Sequence, residues 1–285
     1  MRFTSATQLK DWIKNKAKQT GSPTNTLLQT YMMERLLERV SLSLFRENMI
    51  IKGGFLIAAM VGIDRRSTLD MDTTVKGLQV NREGIESILN EIIAIDAGDD
   101  VTFEIIGIKN IHDISEYDDF RVSLRAVFHT IRVNMKLDIT TGDTIVPHEI
   151  EYHYKLMFED RSIPVMAYNL YTILAEKVET ILSRNVTNSR GRDFYDAYLL
   201  LSMNRDTLSR SELINALRVK SEDRGSVSFV ENHAKHLSDI AGSPEIEKIW
   251  AGYVKNYPYA KGIALQDILS LIAWVFEVVQ QFRND

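Results

Sequence analysis

"KGGFLIAAMVGIDRRSTLDMDTTV", residues 52–75, is the stretch that decides the fold predicted for the first half of the chain. Two glycines precede an apolar run that predicts a short helix, and the end of the stretch predicts a strand that holds Asp70 and Asp72. Alternation along a strand puts both aspartates on one face, with Cα atoms about 6.5–7 Å apart. Two carboxylates this close repel each other unless a cation lies between them or one keeps its proton.

The pattern on either side of this stretch predicts an α+β fold. Strands are indicated where the apolar period is two, with much antiparallel pairing, and helices where the period is helical. In chain order, the predicted elements are helices at 5–20, 24–47 and about 81–95, four strands within 101–157, and helices after about 168. This order predicts an α+β domain with a helical partner and a boundary near 160–168.

The composition limits the class of protein. The 285 residues include 45% hydrophobic and 26% charged ones, which is ordinary for a soluble globular chain of one large or two modest domains. A formal net charge of −5 means that a nucleic acid would need a local basic patch. The chain has no cysteine, which excludes disulfides, thiolate metal sites and thiol catalysis. The start lacks a signal peptide's apolar core and no apolar run spans a bilayer comfortably, so a cytoplasmic location without membrane contact is expected.

A third aspartate, Asp138, ends the polar face of the predicted strand "IRVNMKLDIT". Asp70, Asp72 and Asp138 would suit Mg²⁺, which prefers oxygen ligands, and would allow a two-metal site with ions about 3.5–4 Å apart. The alternative is that Asp70 and Asp72 lie on a solvated edge strand. Gly53 and Gly54 place backbone N–H groups at a helix start, which predicts either a phosphate site or only a tight turn into a buried helix.

Two charged residues of the C-terminal helices are predicted to point inward. Lys177 of "NLYTILAEKVETILSR" lies within the apolar arc at about 100° per residue, so it requires an anion, either a triphosphate or a buried carboxylate. Asp193, in the helix that begins "RGRDFYD", also faces inward and suits the helix dipole and the nearby arginines. A direct ion pair between Asp193 and Lys177 would explain both residues without a ligand.

Four stretches, taken in order, resemble the motifs of AbiEii/AbiGii-type nucleotidyltransferases. These are toxins of abortive-infection toxin–antitoxin systems and include the mycobacterial MenT enzymes. The stretches are "KGGFLI…RRSTLDMDTTV", "DITTGD", "LAEKVETILSR" and "RGRDFYDAYLL", and they extend from about residue 50 to about 200. The resemblance implies a polymerase-beta-like nucleotidyltransferase core with a mixed sheet, plus a helical C-terminal part, in a bilobed arrangement. The implied domains are 1–165 and 166–285, the second contributing Lys177 and Asp193 to the cleft.

The resemblance also implies roles for individual residues. It assigns catalysis to Asp70, Asp72, Asp138, Lys177 and Asp193. It assigns the metal, expected as two Mg²⁺ ions, to Asp70, Asp72 and Asp138. It assigns nucleotide binding to Gly53, Gly54, Thr68 and Lys177. Asp143 matches as well, either with a role of its own or as the cap of a turn.

The activity that the resemblance implies is transfer of a nucleoside monophosphate from an NTP to the 3′ end of tRNA, which blocks aminoacylation and translation. A separately encoded antitoxin is the implied partner, and it need not bind the toxin stably. An RNA acceptor needs a basic surface, for which the candidates are Arg65, Arg66 and Arg190. The alternatives are transfer to a protein or a small molecule, a metal-dependent nuclease, and an inactive binding module.

Overall fold

The computed structural model of the chain describes residues 3–78, 81–111 and 119–281, which form two compact units. The sheet unit comprises Met1–Asp143 and Glu149–Tyr168, and the helical unit comprises Thr144–His148 and Asn169–Asp285. The short segment of the helical unit is held by hydrogen bonds, since Val146 N donates to Thr172 Oγ1 at 3.0 Å. The predicted α+β class, with a mixed sheet and a mainly helical C-terminal part, is confirmed.

The sheet unit is built on one mixed sheet. Its strands among the described residues are β1 (Met49–Lys52), β2 (Asp70–Val75), β3 (Val101–Asn110), β4 (Phe120–Phe128), β5 (Ile131–Thr141), β6 (Ile150–Lys155) and β7 (Ser162–Ala167). They lie in the order β3-β4-β5-β2-β1-β7-β6, with β2 parallel to β5, β1 parallel to β7 and the other pairs antiparallel. Because β2 lies between β5 and β1, Asp70 and Asp72 are on an interior strand, and the edge-strand alternative is wrong.

Helices occur in both units. In the sheet unit they are α1 (Ala6–Thr20), α2 (Thr24–Leu42), α3 (Gly53–Val61) and α4 (Arg82–Ile93). In the helical unit they are α5 (Leu170–Arg184), α6 (Gly191–Asn204), α7 (Arg210–Asp223), α8 (Val227–Glu231), α9 (His233–Ala241), α10 (Pro244–Asn256) and α11 (Leu265–Gln281). Asn81 caps α4 as predicted, because its side chain accepts a hydrogen bond from Gly84 N at 2.8 Å. Among the helices of the described ranges, none combines the length and apolar character that crossing a membrane would require.

Two strands of the sheet, β1 and β7, are not predicted from the sequence. β1 has four residues, which is too short to display a period of two, and β7 contains Pro164, which is unfavourable in strands. Helix α2 ends at Leu42, five residues before the predicted end, and the chain then turns into β1. Ile50 and Ile51 are almost completely buried, so packing in the middle of the sheet stabilises this short strand.

Helix α2 is largely buried and brings charged side chains into the interior of the sheet unit, where it packs against β5 and β7. Arg39 donates two hydrogen bonds to Asp99, both at 2.8 Å. Arg35 donates to Glu159 at 2.8 Å. Glu34 is fully buried and accepts from the backbone N–H of Met157 at 2.8 Å. Arg35 and Arg39 thus each have a hydrogen-bonded carboxylate partner, as a buried charge requires.

Candidate active site

Four charged side chains lie next to one another across four neighbouring strands of the sheet unit. In register, Lys52 of β1 is beside Asp72 of β2, Asp72 is beside Asp138 of β5, and Asp138 is beside Arg121 of β4. We refer to these four side chains as the charged row. Neighbours in register share a face and are about 4.8 Å apart along the sheet, so two adjacent acids are flanked by one cation on each side. Asp70 lies on the same face, two residues before Asp72.

The outer ion pair of the row joins Arg121 to Asp138. Arg121 donates from Nε to Oδ1 at 2.8 Å and from Nη2 to Oδ2 at 2.7 Å, so the guanidinium uses both carboxylate oxygens. These hydrogen bonds and the charge of Asp138 raise the pKa of Arg121; burial opposes the increase, and the charges of Asp70 and Asp72 add to it. The side chain of Arg121 is 47% exposed. Because the guanidinium is half exposed, solvent and other cations can reach this ion pair.

The inner end of the row, Lys52, is held more firmly. Its Nζ donates to Thr140 Oγ1 at 2.6 Å and to Asp143 Oδ2 at 2.5 Å, and it lies 5.6 Å from the ring centre of Tyr168. The hydroxyl of Thr140 also donates to Asp143. The side chain of Lys52 is only 11% exposed. Asp143, whose role the sequence leaves open, is therefore an ion-pair partner of Lys52.

The glycine turn, formed by Gly53 and Gly54, begins α3 directly after β1. Gly53 has φ +66°, and a Cβ at this position would lie 2.7 Å from Cγ of Asp72. A Cβ at Gly54 would lie 2.9 Å from Nη2 of Arg66 and 3.1 Å from Oγ1 of Thr68. The two glycines thus let these side chains approach the start of the helix. The N-cap residue supplies no side-chain hydrogen bond, which favours an anion at the first N–H groups of α3.

The three strand acids fit a divalent cation in their chemistry. Carboxylate oxygens are the ligands that Mg²⁺ prefers, and Asp72 and Asp138 occupy adjacent positions on parallel strands. Within residues 3–78, 81–111 and 119–281, no group of three or more His, Cys, Asp or Glu side chains is gathered in a metal-binding arrangement. A cation that used both oxygens of Asp138 would have to displace Arg121. The assignment of Asp70, Asp72 and Asp138 to the metal stays a prediction.

In the helical unit, Lys177 of α5 contacts two acids of α6. Its Nζ is 2.8 Å from Oδ1 of Asp193 and 3.2 Å from Oδ2 of Asp196. The side chain of Asp196 is fully buried and that of Asp193 is 4% exposed. Of the two anions predicted for Lys177, the carboxylate is present, and the ion pair explains Lys177 and Asp193 without a nucleotide. However, Oδ2 of Asp193 is buried without a hydrogen-bond donor, and the catalytic roles of both residues stay predictions.

The three arginines predicted to contact RNA lie in different environments. Arg65 and Arg190 are exposed. Arg66 is buried, donates to the backbone carbonyl of Ser67 and lies against Gly54 of the glycine turn. Arg66 therefore contacts the glycine turn and is not exposed, and the roles of all three arginines in RNA binding stay predictions.

Lys52 and Arg121 are members of the row that the sequence does not predict as site residues. A signal exists for Arg121, because β4 and β5 are joined by a two-residue turn at 129–130. A hairpin this tight fixes the register of both strands, and that register places Arg121 opposite Asp138. For Lys52 no comparable signal exists, since its position depends on β1, and β1 pairs with strands far away in the sequence.

A family model matches most of the chain. The model of a family described as "Nucleotidyl transferase AbiEii toxin, Type IV TA system" matches residues 35–270, which is well over half of the chain. The matched range includes the charged row and the ion pairs of Lys177. No protein of curated function matches.

Three solved structures resemble the chain at low identity. One is an H. pylori protein with a provisional nucleotidyltransferase assignment (14% identity, 92% of this chain and 99% of that chain covered, TM-score 0.49). JHP933 from Helicobacter pylori is similar at 13% identity, with 91% of this chain and 95% of that chain covered and a TM-score of 0.49. An antigenic nucleotidyltransferase-like protein from Paracoccidioides brasiliensis is similar at 15% identity, with 70% and 93% covered and a TM-score of 0.36.

Proposed function

The chain belongs to the AbiEii family of nucleotidyl transferase toxins of type IV toxin–antitoxin systems, and we propose that it transfers a nucleoside monophosphate from an NTP to the 3′ end of tRNA. The family implies an NTP as substrate and an antitoxin as partner. Loss of the free 3′ end would block aminoacylation and thus translation. The observation that carries the proposal is the pair of adjacent acids, Asp72 and Asp138, on interior strands beside the glycine turn.

The charged row and the glycine turn support this reaction because they supply the groups that phosphoryl transfer needs. Asp70, Asp72 and Asp138 would hold Mg²⁺, which when bound neutralises charge on the attacking and leaving oxygens. The N–H groups at Gly53 and Gly54 would orient the triphosphate. Positioning and electrostatics supply most of the rate in reactions of this class.

The proposed step is a single displacement at phosphorus. The 3′ hydroxyl oxygen of the acceptor forms a bond to the α-phosphorus, the bond from that phosphorus to the β-phosphate oxygen breaks, and pyrophosphate leaves. The proton of the hydroxyl passes to a carboxylate oxygen of the charged row. The product is an RNA lengthened at its 3′ end, which distinguishes transfer from hydrolysis of a phosphodiester.

The experiment is to incubate the purified chain with Mg²⁺, total tRNA and each of the four α-³²P-labelled NTPs in turn, and to separate the RNA on a sequencing gel. We expect label in bands of tRNA size that are longer than the input. tRNA whose terminal ribose has been oxidised with periodate is the matched control, because it has the same fold and sequence but no 3′ hydroxyl. It should take up no label.

Each other outcome contradicts a named part of the proposal. Shortened RNA would indicate a nuclease. Label in a protein or small-molecule fraction of a cell extract, with none in tRNA, would indicate another acceptor. Absence of label in every fraction with all four NTPs would indicate a binding module. Equal labelling of intact and oxidised tRNA would place the acceptor hydroxyl elsewhere in the RNA.

A further inference from the structure

Arg121, the exposed cation of the charged row, is bound to the carboxylate oxygens that a metal would need. Arg121 donates to both carboxylate oxygens of Asp138, at 2.8 and 2.7 Å. Asp138 is beside Asp72 in register, so in the protein without ligands Arg121 supplies part of the positive charge that two adjacent acids require. A divalent cation bound to these acids would supply the same charge. Arg121 and the cation would therefore compete for Asp138.

The two cations of the row differ in how easily they can be exchanged. Lys52 is nearly buried and is held by Thr140 and Asp143. Arg121 is half exposed, and its charge is directed at the three acids of the site. A guanidinium displaced from Asp138 would keep its place on β4, one strand away, with its two parallel donors available. The same planar donors match a phosphate as well as they match a carboxylate.

We propose that Arg121 is a substrate-binding residue: it neutralises Asp138 until a divalent cation binds the acids, and it then binds a phosphate of the substrate. This inference rests on the proposed function, because it takes the substrate to be an NTP or an RNA. Either source would present the same chemistry, a phosphate oxygen anion beside the bound cation. Arg125 provides a matched control. It lies on the same face of β4 as Arg121, four residues further along the strand, and pairs with Glu104 at 3.1 Å.

The first test measures binding of Mn²⁺, used as the divalent probe, by electron paramagnetic resonance in the absence of any nucleotide. Arg121→Gln should bind Mn²⁺ about fivefold more tightly than the wild type, because the competitor for Asp138 is gone. Arg125→Gln should bind it as the wild type does, which controls for the general loss of one positive charge. Equal or weaker Mn²⁺ binding by Arg121→Gln would overturn the exchange. Thermal unfolding of both variants confirms that each is folded.

The second test measures equilibrium binding in saturating Mn²⁺ of two probes, the α,β-methylene analogues of the four NTPs and total tRNA. Arg121→Gln should weaken the binding of one probe about tenfold, whereas Arg125→Gln should weaken neither. Weaker binding of an analogue assigns Arg121 to the triphosphate, and weaker binding of tRNA assigns it to an RNA phosphate. Unchanged affinity for both probes would overturn the role in substrate binding. Neither test depends on turnover, so failure of the proposed transfer reaction would be seen separately.

Discussion

The two acid–lysine clusters of the chain neutralise their carboxylates in different ways. In the charged row of the sheet unit, the acids lie on a face where Arg121 is half exposed. In the helical unit, Lys177 contacts Asp193 and Asp196, and both acids are almost completely buried. The first arrangement leaves carboxylates with a cation that solvent and other ions can reach. The second buries both acids almost completely, while the side chain of their cation, Lys177, is 16% exposed.

This difference suggests which cluster binds a ligand. The arrangement of the charged row favours a ligand, whereas the ion pairs around Lys177 explain those residues without one. An exposed ion pair contributes little to stability, so an acid in it can change partners at small cost. Removing one member of a buried pair leaves an uncompensated charge and lowers stability by about 3–5 kcal/mol. We therefore expect substitutions in the row to affect activity more than stability, and substitutions around Lys177 to affect stability whatever they do to activity.

The largest effect is expected for Asp72→Asn in the row. Nucleotide transfer to tRNA should fall by about 10³-fold or more, because the charge that would hold the metal at the reacting phosphate is lost. The free energy of unfolding should stay within about 1 kcal/mol of the wild type, since Asn keeps the size that fits against Gly53. Transfer rates and urea denaturation measure the two quantities.

The control for Asp72→Asn is Glu104→Gln, which removes an exposed acid from β3 of the same sheet. Its transfer rate and stability should both match the wild type. Transfer by Asp72→Asn within tenfold of the wild-type rate would show that the row is not the reacting site. A loss of several kcal/mol in stability would instead show that Asp72 has a structural role.

The next effect in size is on stability, for Asp196→Asn in the helical unit. Its free energy of unfolding should fall by about 3 kcal/mol, because Lys177 would lose a fully buried partner. Asp223→Asn, at an exposed acid on α7, should leave stability unchanged. Unfolding by urea, followed by circular dichroism, gives both values. Equal stability of the two variants would mean that the buried cluster contributes no more than a surface acid.

Lys177→Met decides whether the lysine does more than hold the acids. It should also destabilise the chain by about 3 kcal/mol, since it leaves two buried acids without their cation. If Lys177 contacts the nucleotide as the family resemblance implies, the transfer rate per folded molecule should fall as well, by tenfold or more. An unchanged rate per folded molecule would assign Lys177 to structure alone.

The elements that the sequence predicts well are those with a strong period. β3, β4 and β5 lie within the region 101–157 where strands are predicted, and α5 spans Leu170–Arg184, within the helical stretch quoted above. Long alternating or amphipathic stretches carry this information locally. β1 and β7 carry too little of it, because one is short and the other contains a proline.

The same limit explains what is missed at the site. The shared face of Asp70 and Asp72 follows from alternation within one strand, and so it is predictable. Their interior position depends on β1, which pairs with β2 and β7. That Lys52 lies beside Asp72 depends on the same long-range pairing. Sequence periodicity therefore identifies the acids of the row and the tight β4–β5 hairpin could locate Arg121, but no local pattern locates Lys52.

Glu34 shows a third way of neutralising an acid, different from those in the two clusters. Its Oε1 accepts from Met157 N at 2.8 Å and from the hydroxyl of Tyr154 at 3.3 Å, while Oε2 is buried without a donor. Burial raises the pKa of Glu34 from 4.5 to about 8; the hydrogen bond from Met157 and the charge of Arg35 oppose the increase. Near neutral pH this carboxyl is neutralised by a proton rather than by a cation.

The last effect, that of Glu34→Gln, depends on pH and is small for each single pH unit. Because the pKa of the folded state lies above that of the unfolded chain, the carboxyl stabilises the protein at low pH. This stabilisation is lost as the pH rises from about 4.5 to about 8, by at most about 1.4 kcal/mol per pH unit. Gln keeps the carbonyl acceptor for Met157 and Tyr154 and cannot ionise. The stability of Glu34→Gln relative to the wild type should therefore increase between pH 5 and pH 8, by about 2–4 kcal/mol.

Urea denaturation at each pH measures this change in stability, with Glu104→Gln as the exposed control that should show no such trend. A difference between Glu34→Gln and wild type that is constant with pH would mean that Glu34 is ionised in the folded protein, and that a buried cation rather than a proton neutralises it.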